Sequence, residues 1–391
     1  MTTIGKDVLN RAREGDPIAL ARVLVAIPSV NPTLAPGGAG EGAIAEVCVS
    51  WLKAWGFRAR WDEVAPRRCN VVAELEGDGP TLLLNGHLDT VGVEGMTVPP
   101  FEAVLEGDRL IGRGSCDMKG GLAALLAAAA RLSRGGPRPR LVVALTADEE
   151  HASLGMSTLV RSGVSADMAV VCEPTRLAVM PAHKGFVWIK ATFQGRAAHG
   201  SRPELGVDAI RHAGLYLAAL DAYAAELRAR SGHPLLGHGS LHAGTIKGGT
   251  AESVYPDRCE LLIERRTMPG EVPQAVEAEF RRILDGLAAT EPSLAATLET
   301  TLDRPGTEVD VSSRLVQGLL EAGEAFGVPP RVEGMTAWVD AAFLNEAGIP
   351  AVCYGPGDIA QAHSADEWIE TRQIEVCADA LERFARGLAE R

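Results

Sequence analysis

The stretch Thr81-Leu82-Leu83-Leu84-Asn85-Gly86-His87-Leu88-Asp89-Thr90 decides the fold, because an apolar run of strand length breaks there into a polar, glycine-containing turn. The same grammar recurs at Asn70–Leu75, at Leu141–Leu145 before Thr146-Ala147-Asp148-Glu149-Glu150, and at Met168–Val171 before Cys172-Glu173-Pro174-Thr175. Between these runs the pattern predicts helices over Ala43–Trp55, Lys119–Leu132 and Met156–Ser162. Strands alternating with helices predict an α/β fold whose mostly parallel sheet is covered on both faces. Such sheets bind ligands beyond the carboxyl ends of their strands, which is where the polar clusters fall.

From about His183 the order changes. A strand (Phe186–Phe193), a helix (Val207–Arg230), two β-like stretches (Leu241–Ile246 and Ser253–Arg265), a helix (Pro273–Leu287) and a strand (Leu294–Thr301) follow one another. This is the β-α-β-β-α-β order of a ferredoxin-like unit. Alternation then resumes, with a buried strand at Ile349–Tyr354 and a closing helix at Ile374–Leu388. The expected organisation is an α/β domain of residues 1–182 and 303–391 with an α+β domain, 183–302, inserted in it. A chain of 391 residues is long enough to need both cores.

The balance of 38 Lys and Arg against 51 Asp and Glu gives a formal charge of −13, which repels a phosphate backbone, and no basic stripe interleaved with aromatics is present. Nucleic acid is therefore not an expected partner. The apolar helical run Gly121–Ala130 stops at Arg131, too short for a bilayer, and Lys6, Arg11, Arg13 and Glu14 leave no apolar signal-peptide core. A cytoplasmic protein without membrane association is expected. The seven cysteines are odd in number, scattered and without a C-x-x-C pair, which fits a reducing compartment and no thiolate metal site. Cys116 and Cys172 adjoin acidic residues but, as strand neighbours face opposite sides, are expected to point away from them.

Five segments carry candidate chemistry. On extended chain His87 and Asp89 share a face, so Asp89 can orient one imidazole nitrogen and leave the other for a metal. Asp117, in Gly112-Arg113-Gly114-Ser115-Cys116-Asp117-Met118-Lys119-Gly120-Gly121, opens a helix and reads either as its cap or as a ligand. Asp148, Glu149 and Glu150 read alone as a solvated acidic loop, Glu173 repeats a carboxylate at a strand end, and His363 follows the last buried strand. Carboxylates converging on one sheet edge repel unless cations neutralise them. Three ligating carboxylates against two divalent ions leave one positive charge, which a bridging hydroxide cancels. Mixed nitrogen and oxygen donors suit zinc, with cobalt or manganese as substitutes. One acid is left over, and hydrolysis needs a general base.

These residues, with Leu84 to Val91, Ala182-His183-Lys184-Gly185, Gly195-Arg196-Ala197-Ala198-His199 and Gly355 to His363, resemble the acetylornithine deacetylase, succinyl-diaminopimelate desuccinylase and aminoacylase family of dinuclear metallohydrolases, of peptidase family M20 type. The likeness runs from about Ile27 to Trp368. It implies a zinc-exopeptidase-like catalytic domain and an inserted lid that also forms a homodimer. It implies that Asp117 bridges two metals, with His87 and Glu173 on one and Glu150 and His363 on the other. Glu149 is then the general base, Asp89 orients His87, and the lid's His199 stabilises the oxyanion. In the segment Arg266-Thr267-Met268-Pro269-Gly270, Arg266 would meet a substrate carboxylate, and Asp340 and Gly355 would line the substrate site. The chain departs from the family at Gly248-Gly249-Thr250-Ala251-Glu252-Ser253, where an asparagine is common, and at Trp338-Val339-Asp340-Ala341, where acetylornithine deacetylases carry Thr-Glu-Ala. The implied reaction is deacylation of an N-acyl amino acid by metal-bound hydroxide, the alternatives being an aminopeptidase, a dipeptidase or a succinyl-diaminopimelate desuccinylase.

Overall fold

The computed structural model describes residues 4–66 and 68–390; residues 1–3, 67 and 391, which the expected outer domain includes, lie outside the described residues. The chain divides into two compact units, one formed by Met1–Pro181, Val309–Glu333 and Val339–Arg391, the other by Ala182–Glu308 and Gly334–Trp338.

In the first unit the sheet runs in the order Arg58–Ala65, Arg68–Leu75, Arg140–Thr146, Thr81–His87, Met168–Val171, Ala351–Cys353 and then the start of Val179–His183. The four strands from Arg140–Thr146 to Ala351–Cys353 are parallel, and those outside them pair antiparallel. Leu82, Leu83, Leu84 and the run Leu141–Leu145 are buried, as residues covered on both faces must be. The helix Gly120–Ser133 is a run of Ala and Leu buried almost throughout, packed against the sheet and against the helices Pro17–Ala26 and Thr371–Ala389. Its first turn presses on the sheet so closely that a Cβ at Gly121 would lie 2.1 Å from the carbonyl oxygen of Cys172. Only glycine permits that approach, and it fixes the level at which the chain leaves the sheet toward Glu173.

The second unit has the order Gly185–Gln194, Ala209–Ala229, Ser240–Gly248, Arg258–Thr267, Pro273–Ala288, Ala295–Arg304. Its four strands are antiparallel, Ser240–Gly248 at one edge and Ala295–Arg304 at the other. Val187, Ile189, Phe193, Leu261 and Ile263 meet Tyr216, Leu220, Tyr223 and Phe280 of the two helices on one face. The alternate residues Trp188 and Leu262 are exposed on the other.

Three local expectations change. The strand expected to stop at Leu84 continues to His87, because the polar residues Asn85 and Gly86 stay in the ladder beside Ala144 and Leu145. The strand expected from Ser253 begins at Arg258, since Pro256 lacks an amide hydrogen and its carbonyl instead accepts from Ala209. Asp117 does not open the helix: it lies in a tight turn, Ser115–Lys119, with extended dihedrals, and the helix begins at Gly120.

Candidate metal centre

Four parallel strands deliver the candidate residues to one sheet edge. His87 is the last residue of its strand and pairs with Thr146, after which come Glu149 and Glu150. Val171 ends the next strand two residues before Glu173, and Cys353 ends the fourth before the loop to His363.

The Nδ1 of His87 lies 3.0 Å from the carbonyl oxygen of Asp89. A carbonyl only accepts, so Nδ1 carries a hydrogen, which leaves Nε2 as the nitrogen that a metal would bind on displacing its proton. The Asp89 carboxylate, expected to orient His87, is 3.7 Å from Nδ1. It accepts instead from Asn31 Nδ2 at 2.8 Å and from the backbone N–H groups of Glu149 at 3.1 Å and Glu150 at 3.3 Å. Asp89 thus orients His87 through its backbone and holds the acidic pair through its side chain.

Asp117 sits between the two histidines. Its Oδ1 is 3.0 Å from His87 Nε2 and its Oδ2 is 3.5 Å from His363 Nε2, which is itself 3.0 Å from Glu150 Oε2. The ligand atoms of His87, Asp117 and Glu150 lie within 4.8 Å of one another. Glu173 is buried close enough to feel the charges of Asp117 and His87.

The electrostatics follow from burial. Loss of water, then the charge of Asp117, pushes Glu173 up to about 8. Loss of water, then Glu173, raises Glu149 well above the carboxylate range, and loss of water and Asp117 raise Glu150. Burial opposes charge on His87, but the hydrogen bond to Asp117 and the neighbouring carboxylates outweigh it and raise its pKa. Glu150 Oε1 and Glu173 Oε1 are buried without a hydrogen-bond partner. Buried acids with bare oxygens beside two imidazoles are a donor set for divalent cations. No thiolate competes: Cys116 donates its thiol hydrogen to the carbonyl of Asp358 at 3.2 Å. His87, Asp117, Glu150, Glu173 and His363 therefore fit a divalent metal centre.

Asp340 is buried beside this edge. Burial lifts it to about 6 against hydrogen bonds from Ser153 and Thr146, and its Oδ1 has no partner. Gly355 donates its N–H to Thr175 Oγ1 at 3.0 Å, and a Cβ there would lie 2.4 Å from the carbonyl oxygen of Glu173. It pins the Glu173 loop to the last strand. His199 and Arg266 belong to the second unit. There His199 is exposed, its Nδ1 2.8 Å from Ser201 Oγ. Arg266 donates to Glu264 at 2.8 Å, its guanidinium 5.5 Å from the Phe186 ring centre.

Sequence reasoning missed two supports. Beneath the acidic pair, Arg68 makes two 2.6 Å bonds to Glu41 and one of 2.9 Å to Asp148, all buried. Asp148 takes a left-handed conformation, φ 68°, that turns the chain so that Glu149 and Glu150 follow it to the edge. The other support is Glu367, buried four residues after His363. No local signal marked either, since each partner is distant in sequence.

The family model for peptidase family M20/M25/M40 matches residues 83–387. Acetylornithine deacetylase of Myxococcus xanthus is 32% identical, over 85% of this chain and 88% of that protein. Acetylornithine deacetylase of Proteus mirabilis is 30% identical over 92% and 93%. Among solved structures, an aminopeptidase of Bacillus cereus superposes with a TM-score of 0.79 at 20% identity, covering 96% of this chain and 99% of that one. A dinuclear metal-binding peptidase of Bacillus subtilis does so at 0.73 and 20%, covering 97% and 99%. At these identities the structures establish the shared fold.

The raised carboxyls make stability of the metal-free protein depend on pH. A group whose pKa is higher folded than unfolded stabilises the fold while protonated, and that stability is lost as pH rises through the folded value. With Asp340 at about 6 and Glu173 at about 8, the thermal midpoint of the metal-free protein is expected to fall between pH 5 and 8. Saturating divalent metal replaces the protons and flattens the slope. A midpoint flat in chelator across that range contradicts the assigned electrostatics.

Proposed function

The chain belongs to peptidase family M20/M25/M40 and is a metal-dependent amide hydrolase, and on that premise we propose that it deacylates an N-acyl amino acid in the manner of an acetylornithine deacetylase. The reading is supported above all by Asp117, whose two carboxylate oxygens face different histidines. The substrate class rests on the acetylornithine deacetylases at 32% and 30% identity.

His87 and Glu173 would hold one divalent ion, Glu150 and His363 a second, with Asp117 shared; zinc suits this donor set, and cobalt or manganese substitute. Bound there, the ions lower the proton affinity of water and polarise the substrate carbonyl. Glu149 takes a proton from the attacking water and returns it to the leaving nitrogen. His199 donates to the carbonyl oxygen as negative charge gathers on it, and Arg266 pairs with the substrate carboxylate. The second unit acts as a lid and joins two chains into a homodimer, through the exposed edge strand Ser240–Gly248 or the uncovered face bearing Trp188 and Leu262. The enzyme works in the cytoplasm.

One observation favours a second reading. A buried carboxylate with a bare oxygen, Asp340, is a partner for a free substrate amine, as an aminopeptidase or dipeptidase requires.

Product release across N-acetyl, N-formyl and N-succinyl amino acids and unblocked dipeptides tests the proposal. Fastest turnover is expected on an N-acetyl amino acid with a free carboxylate; faster turnover of unblocked dipeptides establishes the second reading instead. Glu149→Gln is expected to lose turnover by roughly 10²–10⁴-fold while keeping its metal, and Glu150→Ala to lose metal. Metal analysis and kcat showing the reverse would exchange the two roles. For the dimer, His199→Ala and Glu149→Ala proteins are each expected to be nearly inactive. Mixing them under exchange conditions restores activity if His199 serves the partner's site, and restores none if it serves its own.

A further inference from the structure

Glu367 stands outside the candidate ligand set yet gathers more donors than any of its members. Its Oε2 accepts from Arg113 Nη1 at 2.7 Å and from the backbone N–H of Gly114 at 2.9 Å. Its Oε1 accepts from the N–H groups of Cys116 at 2.9 Å and Asp117 at 3.1 Å. Four donors on one buried carboxylate define the path of the turn on which Asp117 stands, a turn whose dihedrals at Asp117 and Met118 are not helical. The turn's own backbone bonds, from Ser115 to the carbonyl of Gly112 at 3.1 Å and from Lys119 to that of Gly114 at 2.8 Å, leave the N–H groups of Cys116 and Asp117 to Glu367.

The other end of the link leads to His363. Arg113 Nη1 also donates to the carbonyl oxygen of Ser364, the residue after His363, at 3.2 Å, and Gly112 donates to the carbonyl of Glu367. Directly after Glu367 the strand Trp368–Glu370 pairs antiparallel with Arg109–Ile111, so both chain segments enter the clamp in fixed register. Loops 250 residues apart are thereby tied at one carboxylate.

We propose that Glu367, with Arg113, is a positioning residue for the metal centre: it sets Asp117 and His363 at a common distance before any ion arrives. The proposal rests on reading Asp117 and His363 as ligands. Both oxygens of Glu367 are taken by protein donors, so it acts through Asp117 and His363. A carboxylate is required because an amide in its place would turn one N–H₂ group toward N–H donors, and a shorter acid would reach only part of the set.

Cobalt titration of the metal-free protein, followed by visible absorption and by calorimetry, tests this. Glu367→Gln is expected to weaken cobalt binding roughly 10–100-fold, as loss of a partner behind a ligand does, with Glu367→Asp intermediate. The thermal midpoint in chelator is measured alongside. A residue that served only stability would lower that midpoint and leave the cobalt affinity of the folded variant within about twofold of wild type; that result overturns the proposal. Should Glu367→Gln not fold, Arg113→Met, which removes one donor and the link to Ser364, carries the same test: a several-fold loss of affinity is expected, and none overturns it. Wild-type protein that binds no cobalt would instead overturn the ligand reading itself.

Discussion

The structure turns on the crowding of acids at one end of a parallel sheet. Asp117, Glu149, Glu150, Glu173 and Asp340 are drawn out of water within reach of one another's charge. Each would be neutral or displaced if left alone. What keeps the arrangement is its rigid surroundings together with two imidazoles, and a fully compensated state requires cations from outside the chain. The pH dependence of the metal-free protein and the ligand reading are two sides of that imbalance.

The rigidity has identifiable sources. Strands and the closely approaching helix at Gly121 fix His87 and Glu173, but Asp117, Glu149 and Glu150 lie on turns, where the ladder offers nothing. There buried charge takes over. Asp89 holds the N–H groups of the acidic pair, Arg68 joins Glu41 to Asp148 below it, and Glu367 fixes the Asp117 turn. Replacing Arg68 or Glu367 leaves a buried partner charge without its compensation, and replacing Asp89 leaves buried N–H groups unpaired, either of which is costlier than the loss of a surface ion pair.

The sheet, the inserted β-α-β-β-α-β unit and the candidate ligands were legible because period, length and turn residues are local properties. Asn85 and Gly86 misled at a strand end, as polar residues in a ladder do when a neighbouring strand satisfies them. Asp117 read as a cap because the sequence shows a helix following but not the turn that intervenes. Arg68 and Glu367 were invisible for a different reason. The partners of Arg68, Glu41 and Asp148, are 27 and 80 residues away in sequence and are identified only once the chain is folded. The small sheet that brings Trp368 to Ile111 is likewise non-local.

The spacing of the donors has a consequence for how the centre comes into being. Glu150 and His363 are separated by 213 residues, and the whole unit Ala182–Glu308 is synthesised between them. During translation His87, Asp117, Glu149, Glu150 and Glu173 emerge first, without His363 or the Glu367 anchor. The acidic residues of the cluster are therefore made before the inserted unit, and its second imidazole after it. The complete cluster can therefore form only once the whole inserted unit has been made.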